Sequence, residues 1–250
     1  MKRYLVIGNP ITHSQSPELH NYWIKENGIN GIYDKEKLNE ENLKELFLKI
    51  KNQEINGANI TVPFKRNVIA YLDQLSLEAE KTQSVNTVYL KKDKITGHNT
   101  DIDGFELAIK DVNYDVEGKR VLILGAGGVV PSIIFALYKM KVLSVTISNR
   151  TKSKAENLKS LFNELEIVDW GEASNVDMII NATSIGLKKE DKLNLDLSKF
   201  KSSEFLYDVI YSPKETNFLR DGKSLGKKTE NGKKMFIYQA AKAFKVWHGI

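Results

Sequence analysis

The segment at residues 121–130 has the residue types and the spacing of a turn that binds a dinucleotide. An apolar strand candidate, Val121–Leu124, leads into Gly-Ala-Gly-Gly at positions 125–128, and a helix candidate follows. Glycines without a Cβ let backbone N–H groups and the positive end of a helix dipole approach a pyrophosphate. The third glycine of the usual G-x-G-x-x-G pattern is replaced by the bulky Val130. The turn alone therefore leaves open an ordinary strand-to-helix connection.

The end of the next predicted strand bears on which dinucleotide would bind. A site specific for NAD places Asp or Glu on the ribose hydroxyls, whereas this chain has Asn149-Arg150-Thr151 followed by Lys152 and Lys154. Guanidinium and ammonium groups suit the additional phosphate of NADP. The segment predicts NADP rather than NAD, and the alternative is a solvated helix start with incidental charges.

Four polar clusters in the first half of the chain each lie at or near the end of a predicted strand. They are His13-Ser14-Gln15-Ser16-Pro17, Asn59-Ile60-Thr61-Val62-Pro63-Phe64-Lys65, Val85-Asn86-Thr87 and Asn99-Thr100-Asp101. In an open α/β sheet such positions surround a crevice, where hydroxyls and amides suit a small polyhydroxylated ligand. Turn formation or helix capping would explain any one cluster equally well, but four together favour a binding site.

The elements that position these residues alternate between strands and helices. Predicted strands are Arg3–Gly8, Asn56–Val62, Val85–Leu90, Lys94–His98, Val121–Leu124, Leu143–Ser148, Met178–Asn181 and Phe205–Ile210. Predicted helices are one starting at Ser16, with Leu19, Tyr22 and Trp23 as its apolar face, then Asn42–Asn52 and Met235–Trp247. From Lys119 onward the alternation is regular, which indicates a parallel sheet covered on both faces.

This pattern predicts an α/β protein of two domains. We expect an N-terminal α/β substrate domain, residues 1–101 with 233–250, and a Rossmann-type doubly wound dinucleotide-binding domain, residues 102–232. The stretch 121–138 carries no charge over a membrane-helix length, but three glycines and Pro131 interrupt it. We therefore expect no membrane helix, and with no export signal we expect a cytoplasmic protein.

Composition excludes several classes of site. The 250 residues include no cysteine, which excludes disulfides, thiolate zinc sites and cysteine nucleophiles, and the four histidines have no metal-ligand spacing. We expect no metal. Most of the formal charge of +5 comes from residues 214–234, which hold seven Lys or Arg and three Asp or Glu. Without interleaved aromatic residues this indicates a solvated face, and we expect no nucleic-acid partner.

Ordered motifs run along the whole chain. They are Gly8-Asn9-Pro10-Ile11, the four polar clusters, Gly104, the glycine turn, Asn149-Arg150-Thr151, Asn181-Ala182-Thr183-Ser184 with Gly186, Tyr211-Ser212-Pro213, and Asn231-Gly232 leading to Gln239-Ala240. In this order they resemble the shikimate dehydrogenase family. The resemblance implies NADPH-dependent, reversible reduction of 3-dehydroshikimate to shikimate, on the route to chorismate and the aromatic amino acids.

The resemblance also implies roles for individual residues. Lys65 resembles the family's acid–base lysine and Asp101 its partner. Positions that would hold the substrate's carboxylate and hydroxyls are Ser14, Ser16, Thr61, Asn86, Asp101, Tyr211 and Gln239. Positions that would hold NADP(H) are Gly125, Ala126, Gly127, Gly128, Val129, Asn149, Arg150, Thr151, Lys154 and Gly232. An ammonium can donate a proton to a nascent alkoxide, so a lysine suits ketone reduction.

Two alternatives keep the same fold. A quinate or dual quinate/shikimate dehydrogenase would tend to use NAD, which Arg150 disfavours. A non-catalytic sensor of the cofactor or the cyclic acid would have no need of both Lys65 and Asp101. The resemblance implies a monomer or a homodimer. Val129, Val130 and Pro131 depart from the small residues common in the family, so we expect an altered cofactor affinity or helix angle.

Overall fold

The computed structural model describes residues 1–172 and 175–250. The chain divides into two compact units, one of Met1–Gly104 with Ile237–Ile250 and one of Phe105–Phe236. The strands are β1 (Lys2–Gly8), β2 (Gly31–Lys37), β3 (Gly57–Ile60), β4 (Gln74–Leu75), β5 (Thr87–Lys91), β6 (Lys94–His98), β7 (Arg120–Leu124), β8 (Ser144–Ser148), β9 (Glu166–Val168), β10 (Met178–Asn181), β11 (Phe205–Asp208) and β12 (Lys228–Glu230). The helices are α1 (Ser16–Glu26), α2 (Leu43–Lys51), α3 (Leu77–Thr82), α4 (Asp101–Asp111), α5 (Val130–Lys139), α6 (Lys152–Leu161), α7 (Asn217–Ser224) and α8 (Lys233–His248).

The first unit is built on a mixed sheet in the order β2-β1-β3-β5-β6-β4. Strand β1 pairs in parallel with β2 and β3, whereas β5 pairs antiparallel with β3 and β6. Both faces of β1 are covered, since Leu5 and Ile7 belong to one core cluster while Tyr4 and Val6 belong to another. Burial on two sides explains why this strand is an unbroken apolar run.

Helices cover the two faces of this sheet. The predicted stripe of α2 is confirmed, because Leu43, Leu46, Phe47 and Ile50 are all buried. Helix α8 packs through Trp247, whose indole N–H donates to the Val88 carbonyl at 3.2 Å. Beneath this ring lies Gly57, where a Cβ would come within 2.5 Å of the indole nitrogen.

The predicted apolar face of α1 is wrong in part. Tyr22 is 59% exposed, and the buried residues are Ser16, His20 and Ile24. These three recur every four residues, so the helix is rotated to bury a small hydroxyl and an imidazole. Judged by polarity alone, Tyr22 and Trp23 were the expected buried residues. The helix instead buries the stripe that contains Ser16 and His20.

The second unit is a parallel sheet in the order β12-β11-β10-β7-β8-β9. Leu122 and Leu124 of β7 pack with Ile179 of β10 and Leu206 of β11 in one core cluster. The expected α/β fold with a Rossmann-type sheet is confirmed. In the described residues no helix is long and apolar enough to cross a membrane.

Three strands cover fewer residues than the sequence indicated. Strand β3 stops at Ile60, β5 begins at Thr87, and β11 stops at Asp208. Thr61 and Asn86, which were predicted to lie in strands, therefore lie in connecting loops, as does Tyr211, which follows the predicted strand Phe205–Ile210. Loops at strand ends are where side chains are free to converge on a ligand.

Candidate active site

A buried ion pair forms the centre of the polar residues in the first unit. Lys65 lies in the turn after β3, and its Nζ donates to Oδ2 of Asp101 at 2.6 Å. The two side chains are 11% and 8% exposed. Asp101 is the first residue of α4, where the positive end of the helix dipole favours a carboxylate. The geometry holds an ammonium next to a fixed anion and largely shielded from water.

Asn86 binds the other oxygen of this carboxylate. Its Nδ2 donates to Oδ1 of Asp101 at 2.9 Å and to the Thr100 hydroxyl at 3.0 Å. The same nitrogen lies 3.4 Å from Oε1 of Gln239, which α8 supplies. Lys65, Asn86, Asp101 and Gln239, drawn from four separate segments, thus come together as a connected group.

The three remaining first-unit residues of the predicted substrate set lie at the ends of β1 and β3. Ser14 follows β1 and its Oγ accepts from the backbone N–H of Ser16 at 3.3 Å. Ser16 begins α1 and is buried. Thr61 directly follows β3, and its backbone N–H donates to the Ile7 carbonyl at 2.9 Å. Since β1 and β3 are parallel neighbours, these residues share the carboxyl edge of the sheet.

Tyr211 belongs to the second unit, so the structure does not group it with the other predicted substrate residues. Its ring stacks on Phe236, with 4.7 Å between centroids, and the Lys233 ammonium lies 5.9 Å from the ring centroid. These contacts fix the ring at the loop that follows β11. The preceding strand ends at Asp208, which the sequence analysis missed.

Asp208 is a fully buried carboxylate at the carboxyl end of β11. Its oxygens accept from the Thr216 hydroxyl at 2.6 Å, the Ile210 N–H at 3.0 Å and the Asn181 amide at 3.1 Å. Burial raises its pKa to about 6, against the opposing effect of these donors. Asn181 in turn accepts from Thr183 at 2.8 Å, so one carboxylate ties together the loops after β10 and β11.

The glycine turn has the shape that a pyrophosphate site requires. Gly125 has φ of +106°, and a Cβ there would lie 2.9 Å from the Ala182 carbonyl oxygen, so only glycine fits. Gly127 and Gly128 are exposed, and Val129 stands at the N-cap of α5. An exposed glycine turn directly before a helix start fits the dinucleotide predicted from the sequence.

The departures from the usual pattern in this turn are accommodated by the fold. Val130 is fully buried, and Pro131 lies in the first turn of α5, where its missing N–H costs no helical hydrogen bond. The helix therefore begins regularly despite the bulkier residue.

The predicted NADP-selecting residues lie together after β8. The Asn149 amide donates to the Thr151 carbonyl at 2.7 Å and closes the turn that leads into α6. Arg150, Thr151 and Lys154 are exposed at this helix start. Within residues 1–172 and 175–250, Arg150 forms no ion pair, so its guanidinium is available to an anionic ligand. Gly232 precedes α8, and a Cβ there would overlap the Val209 carbonyl oxygen.

Several cations of the basic segment 214–234 have partners within the protein. Lys223 and Arg220 both pair with Glu215, and Lys234 pairs with Asp111 at 2.6 Å. The Lys227 ammonium donates to the carbonyls of Phe200 and Ser203. Over the part of the chain that the structure describes, no cluster of three or more metal-ligating side chains occurs.

The chain matches known proteins over its whole length. Residues 6–88 match the family model for the shikimate dehydrogenase substrate binding domain, and residues 106–207 match that for shikimate / quinate 5-dehydrogenase. The shikimate dehydrogenase (NADP(+)) of Pelagibacter ubique is 55% identical over 249 residues, covering 100% of this chain and 94% of that protein.

Solved structures agree with this. The crystal structure of shikimate dehydrogenase from Aquifex aeolicus has a TM-score of 0.93 at 38% identity, covering 100% of this chain and 93% of that one. The Thermus thermophilus shikimate 5-dehydrogenase, solved in complex with NADP(H) and shikimate, has a TM-score of 0.91 at 33% identity, covering 100% and 94%. The resemblance drawn from the motifs is confirmed: the chain belongs to the shikimate dehydrogenase family.

Proposed function

We propose that this chain catalyses the NADPH-dependent, reversible reduction of the C3 ketone of 3-dehydroshikimate to shikimate, with Lys65 as the acid–base group and Asp101 as its partner. The observation that carries the proposal is the buried 2.6 Å contact between Lys65 Nζ and Asp101 Oδ2. Family membership supports the reaction, and the ion pair supports the assignment of roles. The product lies on the route to chorismate and the aromatic amino acids.

Lys65 acts on the substrate oxygen. When bound, NADPH supplies the hydride that the carbonyl carbon accepts. As negative charge develops on the carbonyl oxygen, the Lys65 ammonium stabilises it and donates a proton, so that the ketone becomes an alcohol. In the reverse direction the neutral amine takes the hydroxyl proton. The surrounding burial keeps competing water from this proton transfer.

Asp101 and Asn86 orient the proton donor. One oxygen of the Asp101 carboxylate accepts from Lys65 and the other accepts from Asn86. The Lys65 ammonium therefore has two further hydrogens to direct toward substrate. Asn86 and Gln239 present amide groups that suit ring hydroxyls, and Ser14, Ser16, Thr61 and Tyr211 supply hydroxyls for the carboxylate and the remaining oxygens. Neutral donors of this kind match a polyhydroxylated acid.

The cofactor residues divide by the part of NADP(H) they would hold. Backbone N–H groups of the glycine turn, with the start of α5, would bind the pyrophosphate. Arg150 and Lys154, beside Asn149 and Thr151, would bind the 2′-phosphate that distinguishes NADP from NAD. Gly232, where a side chain has no room, would allow close approach of the nicotinamide to the backbone.

The decisive assay measures reduced-nicotinamide absorbance with purified protein, shikimate or quinate, and NADP or NAD. We expect the highest kcat/KM with shikimate and NADP. Absence of turnover in all four combinations would abandon the enzyme assignment, and faster turnover of quinate with NAD would replace the substrate assignment.

A matched pair of variants tests the role of Lys65. Lys65→Met removes the ammonium but keeps most of the side-chain volume, and we expect kcat to fall by roughly a hundredfold to ten-thousandfold, the contribution of general acid–base catalysis. Lys49→Met removes an exposed lysine paired with Glu45 and should leave kcat unchanged. Retained shikimate binding by Lys65→Met would locate the loss in the chemical step. An undiminished kcat would refute the assignment.

A further inference from the structure

Tyr33 is a buried phenol in a strand that otherwise faces water or is only partly covered. Among residues 31–37, all of which the structure describes, it is the one buried side chain. Its ring stacks on His20 with 4.2 Å between centroids and an interplanar angle of 2°. Asn21 bonds to both the backbone N–H and the carbonyl of Tyr33, at 2.9 and 2.8 Å. The phenol is therefore held in one orientation by ring stacking and by its backbone.

The hydroxyl of this phenol reaches the polar group of the candidate site. It donates to Oδ1 of Asn59 at 2.7 Å, and this contact is buried. Burial raises the pKa of Tyr33, while a hydrogen bond with the Ser16 side chain opposes the rise. The phenol thus lies against a predicted substrate residue of α1 and against β3 at once.

From Asn59 the hydrogen bonds continue in one direction. The Asn59 amide donates to the Asn86 carbonyl at 3.0 Å and to the Thr87 hydroxyl at 3.1 Å. The Thr87 hydroxyl donates to Oδ1 of Asn86 at 3.0 Å, and the Asn86 amide donates to Asp101 at 2.9 Å. Each group accepts from the preceding one and donates to the next, so the first donor, Tyr33, sets the orientation of Asn59.

We propose that Tyr33 is a positioning residue for the substrate, acting through Asn59 and Thr87 on Asn86. The inference rests on the proposed function. In this proposal Tyr33 acts only through other residues and does not itself contact the substrate. When the Tyr33 hydroxyl is removed, the buried side-chain carbonyl of Asn59 loses its hydrogen-bond donor. The Asn59 side chain then has a reason to rotate or shift toward another partner, because an unpaired buried carbonyl is unfavourable. Asn86 would then hold the substrate and Asp101 less well.

Tyr33→Phe tests this by removing only the hydroxyl. We expect the KM and the Kd for shikimate to rise about tenfold. This is the change in affinity that corresponds to the loss of roughly one hydrogen bond. The KM for NADP should stay at the wild-type value. A purely structural defect would lower the amount of folded enzyme without separating these two KM values.

Tyr4→Phe is the matched control. Tyr4 is equally buried and belongs to the same aromatic cluster, where it stacks on Trp247 at 5.0 Å, but its hydroxyl takes no part in this chain of hydrogen bonds. We expect its shikimate KM to equal that of the wild type. If Tyr33→Phe also keeps the wild-type KM and Kd for shikimate while the wild type is active, the positioning role is overturned and the proposed function stands. If the wild type does not turn over shikimate, both fall together.

A second pair of variants covers the case in which Tyr33→Phe does not fold. Thr87→Val breaks the same chain between Asn59 and Asn86 at nearly constant volume, whereas Thr87→Ser keeps the hydroxyl. We expect the shikimate KM to rise in Thr87→Val and to stay within about threefold of wild type in Thr87→Ser. Equal shikimate KM values in the two variants would overturn the inference.

Discussion

Replacing Asp208 by asparagine should stabilise this protein at neutral pH, although the carboxylate accepts three hydrogen bonds. Burial is the largest influence on this group and raises its pKa from 3.8 to about 6. At 1.36 kcal/mol per pKa unit, the folded state prefers the protonated carboxyl by about 3 kcal/mol. This free energy is the largest gain in stability that a neutral side chain at position 208 could give at neutral pH.

The sign of the pH dependence follows from the raised pKa. Because the folded-state pKa lies above the ordinary value, the stability from the protonated carboxyl is fully present below about pH 4. It is lost as the pH rises through about 6, and above about pH 7 the ionised group carries the full cost. Asparagine keeps an acceptor for Ile210 and Asn181, and its amide can donate to the Thr216 hydroxyl, which rotates to accept.

Urea unfolding followed by circular dichroism at several pH values measures the effect. We expect Asp208→Asn to exceed the wild type by about 1 to 3 kcal/mol at pH 8 and to match it near pH 4. Asp191→Asn is the opposing control. Backbone N–H groups of Gly186 and Lys188 lower the pKa of Asp191, so loss of this carboxylate should destabilise the folded protein at pH 8. Destabilisation by Asp208→Asn of equal size at both pH values would refute the reasoning.

Three further predictions concern single positions. Gly125→Ala forces a side chain into a backbone with φ of +106° and into the Ala182 carbonyl, so we expect a loss of about 1 to 3 kcal/mol of stability and a raised KM for NADP, measured by urea unfolding and by steady-state kinetics. Arg150→Ala should raise the KM for NADP at least tenfold while the KM for NAD stays constant, and equal changes in both would contradict a 2′-phosphate contact. Burial, with a smaller contribution from His248, lowers the pKa of His20 to about 3, so stability present above about pH 6.5 is lost as the pH falls toward 3; His20→Phe should flatten that decline in acid unfolding curves.

Local pattern predicted much of the fold. The apolar run of β1, the stripe of α2 and the regular alternation after Lys119 each reflect burial that repeats along the chain, and such repetition is visible in sequence. The polar clusters also allowed a site to be predicted, because uncharged amides and hydroxyls beside buried strands need hydrogen-bond partners. Asn86, near the start of one strand candidate, and Asp101, which follows another, are an example, since the structure joins them.

The residues that sequence reasoning missed depend on partners far along the chain. Tyr33 lies in a strand of mostly charged residues, and its partner Asn59 is 26 positions away. A signal did exist for Asn59, an amide within an otherwise apolar strand, which must be hydrogen-bonded if buried. Nothing local predicted that α1 would bury His20 in place of Tyr22, because that choice is made by the aromatic surface of α8 and β2.

The return of the chain through α8 has a consequence for its synthesis. The N-terminal sheet lacks a cover over Gly57 and Val88 until Trp247 of α8 has been made. The parallel sheet of Phe105–Phe236 is continuous in sequence and complete earlier. The unit that is translated first therefore receives its last packing element after the second unit has been made, and Gln239 of α8 reaches Asn86 by the same late return.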